Sequence, residues 1–178
     1  LAEDIAVMDL IAGGRFVATA GLGYRESEYA MMGADWARRG KLLEENIQLI
    51  LRAWQGEPFE HNGTTVQLKP VPLSRPRNIL MMGGNSRLAA RRAARLKMIF
   101  NPGIDDPQLD TDYQAACKEY GFDRGAIIFP RAPATTLLSD DPDAAWETLG
   151  PYLLYDATAY GAWAHPNRRA YAVAKGRT

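Results

Sequence analysis

The chain has 178 residues, and its 21 basic and 21 acidic side chains cancel to a formal charge of zero; with no sustained Lys/Arg stripe, electrostatic binding to nucleic acid or to an anionic membrane has no basis. Nearly half of the residues, 47%, are apolar and four are Trp, which suits a soluble globular protein with a real core and excludes a disordered chain. No apolar run reaches the roughly 20 residues of a membrane span, and the single cysteine, Cys117, rules out an internal disulfide or a multi-cysteine zinc site and fits a reducing cytoplasm.

Along the chain, Ala2 to Ile11 reads as the end of an amphipathic helix stopped by Gly13-Gly14, and Phe16 to Ala20 reads as a buried strand that leaves through Gly21-Leu22-Gly23. Residues 37–55 form the clearest helix, because Leu43, Ile47, Ile50, Leu51 and Trp54 recur at helical spacing. Gly56-Glu57-Pro58 ends it, and Phe59-Glu60-His61 then meets Thr64 to Leu68 across Asn62-Gly63, a pair suited to a tight hairpin turn. Pro70, Pro72 and Pro76 stiffen an extended link over 69–77 and forbid helix there. Ile79 to Met82 is short and apolar enough for a strand buried on both faces.

A helix over 86–97 follows, then a strand at Met98 to Phe100, and Pro107 starts a helix that runs to Tyr120 and stops at Gly121. Ala126 to Phe129 and Ala134 to Leu138 read as extended, and Asp141-Pro142 opens the last helix. Alternating strand and helix implies a parallel sheet covered by helices, hence an α/β protein in which the hairpin is an insertion. No internal repeat, low-complexity tract or interdomain linker interrupts residues 1–178, which read as one domain.

Two segments could hold a ligand. In Gly83-Gly84-Asn85-Ser86 the glycines let the backbone come close, and Ser86 with the first free N–H groups of the next helix could hold a phosphate; equally, Asn85 or Ser86 could cap an ordinary strand-to-helix turn. Gly21-Leu22-Gly23-Tyr24-Arg25 lies at the carboxyl end of its strand, where barrel enzymes place their sites. Gly21 and Gly23 leave room for a ring system, whereas Arg25 could meet an anion or simply pair with Glu26 or Glu28. Position 26 is Glu, so a three-glycine dinucleotide fingerprint fails.

The remaining reactive groups read as structural. Arg87, Arg91, Arg92, Arg95 and Lys97 suggest a solvated helix face whose first turn could help hold a phosphate; Asp105, Asp106, Asp110, Asp112, Asp140 and Asp141 flank helix starts and read as caps. Cys117 reads as core, His61 as a surface hairpin residue, and His165 as part of a polar segment. No metal cluster and no G-x-S-x-G nucleophile segment is present.

Taken in order, Asp9 to Arg15, Gly21 to Tyr24, Leu42-Leu43-Glu44-Glu45, Trp54 to Pro58, the hairpin at 59–63, Pro70-Val71-Pro72, and Gly83 to Ser86 with Ala89 to Leu96 resemble the bacterial luciferase-like flavin monooxygenase family, which includes deazaflavin-dependent relatives. The resemblance is nearly continuous from Ala2 to Leu96 and traceable from Trp146 to Trp163. It implies a TIM-type (β/α) barrel of which this chain is the middle and later part, since a whole barrel needs about 250 residues, with the early strands and the C-terminal end absent. It further implies an oxidoreductase using reduced FMN and oxygen on a small organic substrate, supplied by a flavin reductase, or else hydride exchange with a deazaflavin coenzyme. In that light Gly83, Gly84, Asn85 and Ser86 take the coenzyme phosphate, and Gly21, Gly23, Tyr24 and Arg25 face the flavin or substrate. A partial barrel exposes strand edges, so a homo-oligomer is expected, and a non-catalytic homologue that keeps the fold is the rival reading.

Overall fold

Short apolar strands separated by amphipathic helices can bury both faces only in a parallel sheet, and the computed structural model has that arrangement; it describes residues 1–130 and 136–163. The elements run α1 (Ala2–Ile11), β1 (Ala18–Ala20), α2 (Glu26–Met31), α3 (Arg39–Ala53), β2 (Phe59–His61), β3 (Thr64–Val66), α4 (Pro76–Ile79), β4 (Leu80–Gly83), α5 (Arg87–Arg95), β5 (Phe100–Asn101), α6 (Pro107–Glu119) and α7 (Pro142–Trp163). The main sheet has the order β1-β4-β5, all parallel, with Thr19 opposite Met81 and Met82 opposite Phe100. Residues 126–128 extend it: Ile127 bridges Phe100 in parallel, the Phe100 N–H donates to the Ala126 carbonyl, and the Ile128 N–H donates to the Phe100 carbonyl.

Parallel strands bring their carboxyl ends to one side. The exits of β1 at Gly21, of β4 at Gly83 and of β5 at Pro102 therefore share a rim, and the helices lie along the sheet behind them.

The core forms where α5 and α6 cover the sheet. Ala89, Ala90, Ala93 and Ala94 are all buried on α5, and such small side chains let α6 approach closely with Leu109, Tyr113, Ala116 and Cys117, which share one face at helical spacing. The Tyr113 hydroxyl donates to the Met98 carbonyl at 2.6 Å, and its ring packs on Phe100 with centroids 5.4 Å apart. Trp54 at the end of α3 donates its indole N–H to the Ala2 carbonyl at 2.9 Å and so ties α3 to α1. Burial pushes the Cys117 thiol up from its ordinary range, so the native protein is expected to resist thiol–disulfide exchange at neutral pH and to react fully only after denaturation, as a chromogenic disulfide reagent would read out.

The hairpin is as the sequence implies: β2 and β3 pair antiparallel across Asn62 and Gly63, which both have positive φ, and His61 is exposed. Asp106 caps α6 through the Gln108 N–H at 3.1 Å, and Asp141 accepts from the Ala144 N–H at 3.1 Å. Among the described residues no group of His, Cys, Asp and Glu could hold a metal, and no helix is long and apolar enough to cross a membrane.

Four local expectations need correction. The link over 69–77 is not extended throughout, because Pro76 begins the one-turn helix α4, where a proline at the first position loses no hydrogen bond. The strand expected at Ile79 consequently starts at Leu80, and the one expected at Met98 starts at Phe100. Finally, α2 appears where no helix was expected; it is six residues long, buries none of them and lacks a side-chain cap, so it carries no periodic signal. The extended stretch read at 134–138 lies in part, and His165 wholly, outside the described residues.

Candidate functional site

The site is built from two strand exits. The β4 exit turns sharply at Gly84, whose φ of 138° falls where side-chain-bearing residues are rare, and delivers the chain into α5. Ser86 caps that helix, its hydroxyl oxygen accepting from the Ala89 N–H at 3.2 Å. The capping role is thus real, yet it leaves the hydroxyl proton and the N–H groups of Arg87 and Leu88 for other acceptors. Asn85 does not cap. Its Oδ1 accepts from the Gly103 N–H at 2.7 Å and links this turn to the β5 exit.

The β1 exit is held differently. The Tyr29 hydroxyl on α2 donates to the Leu22 carbonyl, and the Tyr29 ring meets Trp36 edge-on at 5.0 Å. At Gly21 an added Cβ would meet nothing within 4 Å, so the backbone there borders open space. Tyr24 is about one-third exposed, and its ring lies 6.2 Å from that of Tyr160 on α7. Burial, and after it a hydrogen bond with Tyr160, raises the Tyr24 hydroxyl above its usual range, so it stays protonated at neutral pH.

These two exits meet in a single cleft of about 380 Å³ lined by Gly21, Leu22, Gly23, Tyr24, Gly83, Gly84, Asn85, Ser86, Ala89 and Arg92. That volume lies within the span of small-molecule sites, about 300–1,000 Å³. Seven of the eight residues singled out from the sequence line it. Arg25 does not: it precedes α2, and its Nη1 pairs with Glu28 Oε1 at 2.9 Å.

Sequence reasoning missed Arg92, which was read with its neighbours as part of a solvated face. Arg92 is 11% exposed, and its Nε donates to Glu44 Oε1 on α3 at 2.9 Å. Helical spacing held the signal, since Ala89 and Arg92, three residues apart on α5, fall on one face.

Known proteins resemble this chain in sequence and in fold. The family model for luciferase-like monooxygenases matches residues 1–177. The chain is 30% identical over 103 residues to the FMNH2-dependent dimethylsulfone monooxygenase of Pseudomonas putida, covering 53% of this chain and 28% of that protein. It is also 30% identical over 120 residues to an uncharacterized protein of Mycobacterium bovis, covering 62% of this chain and 39% of the relative. The chain therefore spans less than half the length of these curated relatives.

Among solved structures, the monooxygenase RslO1 from Streptomyces bottropensis superposes with a TM-score of 0.62 at 18% identity, over 84% of this chain and 49% of that one. The oxygenating constituent of 3,6-diketocamphane monooxygenase from Pseudomonas putida, solved in complex with FMN, gives 0.59 at 18% identity over 91% and 53%. At that identity the likeness concerns the fold, and it makes the three-stranded sheet part of a barrel. The chain belongs to the luciferase-like monooxygenase family.

Proposed function

We propose that the cleft between the β1 and β4 exits binds FMN and that the protein acts as a flavin-dependent monooxygenase on a small organic substrate. The observation that carries this reading is the convergence of Gly21 to Tyr24 and Gly83 to Ser86 on one cleft at the carboxyl ends of adjacent parallel strands. The residues fit the coenzyme: bare backbone at Gly21 borders open space where a ring can lie, and the start of α5 offers N–H groups and a favourable dipole to a phosphate. Bound and reduced, FMN supplies the electrons that activate oxygen for insertion into the substrate.

The chain's own residues then bind and orient. The Ser86 hydroxyl and the N–H groups of Arg87 and Leu88 hold the phosphate end. Tyr24, its hydroxyl hydrogen-bonded with Tyr160 and protonated at neutral pH, borders the cleft from the β1 exit. Two related FMN-linked proteins, the dimethylsulfone monooxygenase and the diketocamphane enzyme, support the choice of FMN over a deazaflavin coenzyme. A separate flavin reductase and a homo-oligomeric state complete the proposal; exposed Trp146, Tyr152, Leu154 and Tyr155 on α7 favour self-association.

Fluorescence titration tests it. FMN is expected to bind saturably to the purified chain and the deazaflavin coenzyme weakly. Ser86→Ala is expected to weaken FMN about tenfold, as loss of a hydrogen bond to a charged group implies, and to cost about 1 kcal/mol of stability through the lost cap. Failure of the intact chain to bind either coenzyme would end the reading.

A further inference from the structure

The five basic residues at 87–97 are not equivalent. Arg87 lies 3.9 Å from Asp112, and Arg91 forms a two-pronged pair with Glu119 at 2.7 and 2.8 Å. Arg92 and Arg95 both contact the one carboxylate of Glu44. Two guanidinium groups against a single carboxylate leave one positive charge in excess within that cluster.

The excess is poised at the cleft. Arg95 is half exposed, whereas Arg92 is 11% exposed, has Glu44 as its hydrogen-bond partner among the described residues, and lines the cleft together with Ser86. Its Nε faces Glu44, and Gly40 on α3 makes room for the rest: a Cβ there would sit 2.8 Å from Arg92 Nη2. Long helical side chains lean toward the N-terminal turn, which here is the turn capped by Ser86. A largely buried cation is screened little by salt, and a guanidinium fork matches the oxygens of a phosphate.

We propose that Arg92 is the cation that recognises a phosphate group in this cleft and thereby sets a preference for phosphorylated over unphosphorylated ligands. The assignment rests on reading the cleft as the coenzyme site, and Glu44 holds Arg92 in place while its charge moderates the attraction.

Two measurements on the intact chain test it: FMN and riboflavin titrations, and the thermal midpoint in graded inorganic phosphate against chloride at matched ionic strength. FMN is expected to bind at least about tenfold better than riboflavin, as a charge-assisted contact implies. Arg92→Gln should lower that ratio several-fold with riboflavin affinity kept, and should shrink the phosphate-induced shift. Arg95→Gln, which takes one charge from the same cluster but does not line the cleft, should weaken both less than Arg92→Gln does, and Glu44→Gln should strengthen phosphate binding several-fold.

An unchanged FMN to riboflavin ratio or an unchanged phosphate shift in Arg92→Gln overturns the assignment. If circular dichroism finds that variant unfolded, Glu44→Gln decides, and no gain in phosphate binding overturns it. If neither flavin binds the native chain but phosphate does so in an Arg92-dependent way, the coenzyme reading falls and the assignment stands. Absence of any phosphate effect on the native chain overturns the assignment as well.

Discussion

Replacing Gly84 with alanine is expected to lower coenzyme affinity at least about a hundredfold, worth roughly 2.7 kcal/mol, and to destabilise the fold. The new Cβ would sit 2.6 Å from the Ala89 Cβ. That neighbour has little room to yield, because Ala89 is buried and fixed on the helix α5. A φ of 138° adds strain of about 1–3 kcal/mol for a residue with a side chain. The turn must therefore be rebuilt, and the N–H groups at the start of α5 swing with it. For a chain of this size each kcal/mol lost lowers the melting temperature by roughly 2–4 °C.

Gly21→Ala is the matching control. No atom lies within 4 Å of its added Cβ, so its melting temperature should stay within about a degree, since surface changes cost little, and any loss of FMN affinity reports the ligand alone. Equal melting temperatures for the two variants would contradict the account of the β4 exit.

The same contrast marks what the sequence could disclose. Gly83 to Ser86 was legible because its chemistry is local: two glycines, a capping residue and a helix start are consecutive, and parallel strands bring their exits to one rim whatever the remaining packing. The hairpin at Asn62-Gly63 was legible for the same reason. Arg92 was not, because Arg87, Arg91, Arg92 and Arg95 look alike on a helix, and only the approach of α3 with Glu44 separates the largely buried one from its solvated neighbours. Likewise α2 has no buried residue to set a period, and its contribution, the Tyr29 hydroxyl on the Leu22 carbonyl, exists only once the chain has doubled back. Arg25 was open for a related reason: next to a glycine turn it could meet an anion or pair with Glu26 or Glu28, and only the fold shows its Nη1 on Glu28.

Asp9 carries the largest expected effect on stability. It is fully buried on α1, and its two oxygens accept from the backbone N–H of Ser74 at 2.8 Å and from the Ser74 hydroxyl at 3.0 Å. A buried carboxylate without such partners would be costly, so these bonds fix the end of α1 against the segment leading to α4 and β4, 65 residues later. They thereby set the position of β1 relative to β4, the two strands whose exits form the cleft. Each hydrogen bond to a charged group is worth about 1.5–3 kcal/mol. Asp9→Ala should therefore cost about 3 kcal/mol or more in urea unfolding, and Asp9→Asn less, because its amide oxygen can still accept from the Ser74 N–H while its amide nitrogen donates to the Ser74 hydroxyl oxygen. Ser74→Ala keeps the backbone bond and should cost about 1–2 kcal/mol. The double variant should be less destabilised than the sum of the two by about 1 kcal/mol, the signature of a shared interaction. Strict additivity, or a loss below about 0.5 kcal/mol for Asp9→Ala, within the range of an ordinary surface change, would remove Asp9 from the role of fixing the β1–β4 frame on which the coenzyme cleft depends.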